Sequence, residues 1–152
     1  MAEHLNLDIL TPDGRVDLRL SEGAKADKAQ GPIEVEGVEL PAALGEMGVR
    51  PGHIPFLTPV VPGVVRFRFE GEDRRLAVGS GFVEISEDGV VTILTGRALR
   101  SWEVDVDATR KQRDDIEGEL KQHASASISD ATVLKLIAQR DWLEAQLRAA
   151  QA

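Results

Sequence analysis

Apolar and polar residues alternate through most of this chain, and then the period changes. Leu5, Leu7 and Ile9 flank Asn6 and Asp8, the pattern of a strand buried on one face. Thr11-Pro12-Asp13-Gly14 reads as a turn, with Pro presetting φ and Gly taking a positive-φ position. Val16, Leu18 and Leu20 alternate with Asp17 and Arg19, which predicts the second strand of a hairpin. Ser21 to Gly31 has no apolar period and reads as an exposed, mobile loop. Strand character resumes at Ile33, Val35 and Val38, and Pro41 to Gly45 reads as irregular. Pro59-Val60-Val61-Pro62-Gly63 reads as a turn or sheet edge, since Pro cannot serve a central ladder. Val65, Phe67 and Phe69 alternate with Arg66, Arg68 and Glu70, the clearest strand signal in the chain. Gly71-Glu72-Asp73 is expected to turn that strand, and Leu76 and Val78 return. Gly79-Ser80-Gly81 breaks before Phe82, Val83 and Ile85, and Glu87-Asp88-Gly89 turns into the run Val90 to Leu94. Short strands at regular spacing with turn signals between them predict a β-sandwich or barrel.

From Asp105 the period is helical. Ala108, Gln112, Ile116 and Leu120 would share one face of a mostly charged helix. Gly118 weakens that helix by about 1 kcal/mol relative to Ala. His123 to Ser129 reads as a short connection, and Ser129 or Asp130 can cap the next helix. There, Val133, Leu136, Ile137, Leu143 and Leu147 form one apolar stripe, flanked by Ala138, Trp142, Ala145 and Ala149. The pair predicts an antiparallel helical hairpin. It buries too little to stand alone, so it is expected to rest on the sandwich or on another protein.

Composition sharpens the boundary. All seven Pro precede residue 63 and 13 of the 14 Gly precede residue 97. The expectation is therefore an N-terminal antiparallel β-sandwich over 1–101 and a C-terminal antiparallel two-helix hairpin over 102–152. Aromatic residues are only 4% of the chain, so the core must be aliphatic. A net charge of -8 argues against nucleic acid and against anionic lipid headgroups. The chain has no cysteine, which excludes a disulfide scaffold, a thiolate metal site and a cysteine nucleophile. Met1 to Asn6 is not a signal peptide, and no apolar run approaches the ~18 residues of a membrane span, so a cytoplasmic chain without direct membrane insertion is expected.

Candidate chemistry is sparse. His4, His53 and His123 lack metal-ligand spacing, so no metal site is expected. Ser80 lacks the five-residue elbow of a hydrolase serine, no phosphate-cradling loop is present, and no cofactor is expected. Clustered acids such as Glu117 and Glu119 read as a solvated helix face. The densest feature is Gly45-Glu46-Met47-Gly48-Val49-Arg50-Pro51-Gly52-His53-Ile54-Pro55-Phe56-Leu57-Thr58. Its Gly and Pro exclude a through-running helix, yet its apolar residues exclude a simply solvated loop. Two readings stand: a structural turn, or a docking loop on a rigid scaffold.

This stretch resembles the Gly-Glu-x-Gly-x-x-Pro-Gly-His-x-Pro-x-Leu-Thr signature of the epsilon subunit of F-type ATP synthase. Pro62-Gly63-Val64-Val65-Arg66, Ala77 to Ile85, and Val91-Thr92-Ile93-Leu94 follow in the family's order, ahead of a helical tail. The resemblance covers about Leu5 to Leu10 and Ile33 to the C-terminus. It implies a non-catalytic rotor subunit on the cytoplasmic face of a bacterial plasma membrane. Its sandwich would clamp the gamma subunit and sit on the c-ring, coupling proton flow to ATP synthesis. Glu46, Met47 and His53 become the expected interface residues. The tail would reach the alpha/beta catalytic head and restrain ATP hydrolysis, with Arg110, Lys111, Arg113, Lys121 and Arg140 as its contacts.

Three departures from the family pattern stand out. About fifteen residues around 16–31 read as an insertion in a turn the family keeps short, which surface loops tolerate. Of the nucleotide-binding motif that some members carry between the helices, Asp105 and Arg140 are present. Ala108 and Leu136 stand where binders carry Arg, so the triphosphate lacks charge-assisted partners and weak or no ATP binding is expected. The first helix also carries at least as many acids as bases, which bears on its hold on an acidic surface. Competing readings are a free-standing β-sandwich adaptor that binds a partner through its hairpin, and a small hydrolase using His53.

Overall fold

The computed structural model describes residues 4–23, 31–125 and 130–151. The described residues form eleven strands and two α-helices. In chain order the strands are β1 (Leu5–Thr11), β2 (Gly14–Arg15), β3 (Ile33–Val35), β4 (Val38–Ala42), β5 (Gly45–Val49) and β6 (Phe56–Val60). Then come β7 (Gly63–Phe69), β8 (Glu72–Val78), β9 (Gly81–Ile85), β10 (Val90–Thr95) and β11 (Ala98–Arg100). A 3-10 turn over Ser101–Glu103 leads to α1 (Val106–Gln122) and α2 (Ala131–Ala150).

The strands join in the order β11-β8-β7-β4-β6-β9-β10-β1-β2, with β3 on β1 and β5 on β4. Pairing is antiparallel except between β1 and β10, which run parallel from Asn6↔Val90 to Leu10↔Leu94. The sheet curls into a sandwich because alternate residues of distant strands are all apolar. Leu7 and Ile9 of β1, Val83 of β9 and Ile93 of β10 meet Leu40 of β4, Val65 of β7, and Leu76 and Val78 of β8 in one core. That core is aliphatic, with Phe67 its one buried aromatic among the described residues. Glu36 N donates to Arg68 O at 3.1 Å, tying the end of β3 to β7.

Several expectations need correction. Val16 to Leu20 is not a strand: β2 stops at Arg15. The carbonyls of Asp17, Leu18 and Leu20 instead accept from Arg100 and Arg74, which takes the backbone off any ladder. Pro41 to Gly45 is not irregular, because Pro41 and Ala42 end β4 and Gly45 begins β5 across a tight turn. Gly45 sits at φ 129, which explains a Gly there. The turn after Phe69 falls at Glu70 and Gly71, both at positive φ, one step earlier than expected. On α1 the inward residues are Thr109, Arg113, Ile116 and Leu120; Ala108 and Gln112 are exposed. On α2 the two stripes are buried as expected apart from exposed Ala138 and half-buried Ile137. β11 and the 3-10 turn were not foreseen, being too short to show a period.

Asp105 caps α1, its carboxylate accepting from Ala108 N, and Asp130 caps α2 by accepting from Thr132 N and Val133 N. The alternative cap Ser129 lies outside the described residues, as do 24–30 of the expected Ser21–Gly31 loop and 126–129 of the expected helix connection. The two helices pack on each other, and α2 lies on β7 and β8. Val64 and Ala77, facing out of the sandwich, meet Trp142, Ala145 and Ala149 of α2 there. Arg75 Nε donates to Ala149 O at 2.6 Å, a cation at the carbonyl end of the helix. The Arg97 guanidinium stacks 4.7 Å from the Trp142 ring.

Candidate functional site

Strand alternation leaves a second outward face, on β6, β9, β10 and β1. Register places Pro59 opposite Phe82, Phe82 opposite Leu94, and Leu94 opposite Leu10. These residues alternate with buried Val60, Val83, Ile93 and Ile9, so the row points away from the core. Phe82 is 55% exposed and Leu94 51% exposed, and Leu57 of β6 and Val61 just beyond its end are also exposed. Isolated exposed apolar residues are ordinary, but a contiguous row of large ones marks an interaction surface.

Within this face one glycine lets two backbones come close. A Cβ on Gly81 would lie 1.8 Å from Leu94 O. Next to it, the Thr95 hydroxyl is buried and donates to Gly79 O at 2.9 Å, which fixes the Gly79-Ser80-Gly81 bend. On the same face, buried Asp8 is held by a bidentate Arg15 at 2.8 and 3.0 Å. The hydrogen bonds and charge of Asp8 raise the Arg15 pKa further above its ordinary value.

The expected interface residues fall beside this row rather than in it. Glu46 is on β5, exposed, with one oxygen 4.0 Å from Arg66 Nη1, an ion pair of little energetic weight. Met47, next along β5, is half-buried and packs on the core. His53 lies in the loop after β5, where its Nδ1 sits 2.7 Å from Ile54 O and its backbone N–H bonds Arg50 O. Leu44, at the β4–β5 turn, is fully exposed, as is much of Ile54. Leu44, Phe82 and Leu94 lie outside the stretch that the sequence singles out as a structural turn or docking loop, whereas Leu57 lies within it. Strand alternation alone held the signal for Phe82 and Leu94, since each takes the place of a polar outward residue.

The tail residues do not converge. Arg110 lies 4.0 Å from Asp107, Arg113 pairs with Asp114 and Arg140 with Asp141, both at 3.2 Å. Lys111 and Lys121 are exposed on α1. Asp105 spends its carboxylate on the α1 cap. Among the described residues no cluster of His, Cys, Asp and Glu suits a metal ion, and no helix is long and apolar enough to cross a membrane. A groove of about 770 Å³ runs between β4–β5 and β7–β8, but its five arginines are matched by five carboxylates, and His53 is not among its lining residues.

A bare apolar row on a β-sandwich with a hairpin on its back is the build of an assembly subunit, with a face offered for contact. The comparisons with known proteins agree. The family described as ATP synthase, Delta/Epsilon chain, beta-sandwich domain matches residues 4–101. The ATP synthase epsilon chain of Nitratidesulfovibrio vulgaris (strain DP4) is 37% identical over 122 residues, covering 80% of each chain. That of Shouchella clausii (strain KSM-K16) is 31% identical over 138 residues, covering 90% of this chain and 92% of that one. A chain in the structure of the Euglena gracilis mitochondrial ATP synthase (OSCP/F1/c-ring) superposes with TM-score 0.74 at 21% identity, covering 99% of this chain and 82% of that one. At that identity the match speaks for the fold. The chain belongs to the epsilon-chain family of ATP synthase, a non-catalytic subunit.

Proposed function

We propose that this chain is a rotor subunit of the ATP synthase central stalk, docked on the gamma subunit through the row Pro59, Phe82, Leu94 and Leu10. The observation that carries this reading is that row: large apolar side chains standing out of a rigid sheet, of the kind that anchor interfaces. The β4–β5 end, with exposed Leu44 and Glu46, then faces the c-ring, and His53 borders both contacts. A close-packed sandwich passes torque without deforming, so proton flow through the ring turns gamma and is coupled to ATP synthesis in the alpha/beta head. The bacterial relatives support placement on the cytoplasmic face of a bacterial membrane.

The hairpin serves as a regulatory tail that restrains ATP hydrolysis when it reaches the head. Exposed Lys111 and Lys121 are its readiest contacts, since Arg110, Arg113 and Arg140 already have acidic neighbours. The tail binds ATP weakly or not at all, because Asp105 is committed to its cap and Ala108 and Leu136 offer no cation. Calorimetric titration checks this, and micromolar binding would refute it.

The docking reading is tested by titrating full-length chain onto purified gamma. Phe82→Asp is expected to weaken binding by about thirtyfold or more, the loss of one hot spot. Wild-type affinity in both Phe82→Asp and Leu94→Asp would move the interface elsewhere.

A further inference from the structure

The segment that replaces the expected second hairpin strand has its own set of grips. Val16 N still bonds Ile9 O at 2.9 Å, and then the chain leaves β1. Leu18 drops into the core, 6% exposed. Arg74 of β8 donates from Nη1 to Leu18 O and to Leu20 O, both at 3.0 Å, while its guanidinium lies 5.2 Å from the Phe69 ring. Arg100, the last residue of β11, donates from Nε and Nη2 to Asp17 O at 3.2 and 2.7 Å. Its third nitrogen, Nη1, holds Glu103 Oε1 at 3.0 Å, and Arg100 N bonds the same oxygen at 2.9 Å. Asp17, Leu18 and Leu20 share a crevice with Trp102 of the 3-10 turn.

This places residues 16–20 against the one covalent link between sandwich and helices. β11 is three residues long, at the end of the sheet path, and pairs only with β8. The 3-10 turn that follows packs on both β8 and α2. Any swing of the hairpin about residues 101–105 pulls on an edge strand, and Arg100 fastens that strand to the segment. The grips are charge-assisted and directed at backbone carbonyls, so they fix the segment's path.

We propose that residues 16–20 form a strap that locks the sandwich–hairpin junction, so that α2 leaves β7 and β8 only when Arg100 lets go of Asp17. The regulatory meaning of the strap rests on reading the hairpin as a tail that acts on the head; the lock itself does not. Arg75 and Arg97, which touch α2 directly, hold the helix, whereas Arg74 and Arg100 hold its hinge.

The test is hydrogen exchange on the full-length chain, followed in α2, β1 and β10. Arg100→Lys keeps the charge near Glu103 but loses the two-pronged grip on Asp17 O; Arg100→Gln removes the charge as well. Both are expected to speed exchange in α2 by about tenfold, the result of losing one charge-assisted bond, with β1 and β10 unchanged. Wild-type exchange in α2 for both variants would overturn the strap. Equal acceleration of α2, β1 and β10 would also overturn it, since the segment would then be ordinary core. If α2 loosens while ATP hydrolysis by the assembled complex is indifferent to the hairpin, the strap stands and the tail reading fails.

Discussion

The sandwich has two outward apolar faces with opposite fates. On β7 and β8 the outward residues are Val64 and Ala77, and α2 covers them with Ala145, Ala149 and Trp142. On β6, β9 and β10 the outward residues are Pro59, Phe82 and Leu94, and nothing within the described chain covers them. The difference is the size of the sheet's own outward residues. Val64 and Ala77 are short enough for a helix to approach, with Ala145 and Ala149 beside the larger Trp142, and the chain supplies that helix itself. Large side chains on the sheet would hold a helix off, but they suit the pockets of a separate partner. Within one molecule, the volume of the sheet's outward side chains separates an internal contact from an external one.

Substitutions can break that contrast, and they rank by how deeply they reach. Gly81→Ala cuts deepest, because its Cβ would meet the Leu94 carbonyl, and backbone is costly to shift. A loss of about 3 kcal/mol or more is expected in urea unfolding, with the β9–β10 half of the bare face disordered. Ala77→Phe would make the covered face resemble the bare one. Overpacking under α2 should cost about 1–3 kcal/mol and raise proteolysis within α2, leaving gamma binding intact. Arg97→Gln removes the stacking on Trp142 and should cost about 0.5–1 kcal/mol, visible as a change in Trp fluorescence. Phe82→Asp, although it should abolish most gamma affinity, is expected to move stability by no more than about 0.5 kcal/mol, since the side chain has little to lose on folding. A large stability change there would mean that Phe82 belongs to the core.

Much of this was legible in the chain. Alternation at Leu5–Ile9 and Val65–Phe69 located the strands, because a half-buried strand has no other way to place its apolar residues. The Gly and Pro distribution located the change from β to α, and the ordered motif from Gly45 to Thr58 pointed to the family. Alternation misled at Val16–Leu20. Leu18 is buried as its pattern suggested, but Arg74 and Arg100, distant in sequence, claim the carbonyls that a ladder would use. The bare face was missed for a related reason: one strand's outward residue says nothing until register lines it up with its neighbours. The sequence by itself determined most of the elements, the aliphatic core and the family, all set by local period and local backbone geometry. Only the tertiary structure decided which face α2 covers, which is left for a partner, and what fastens the hinge, because those contacts join residues that no window along the chain contains.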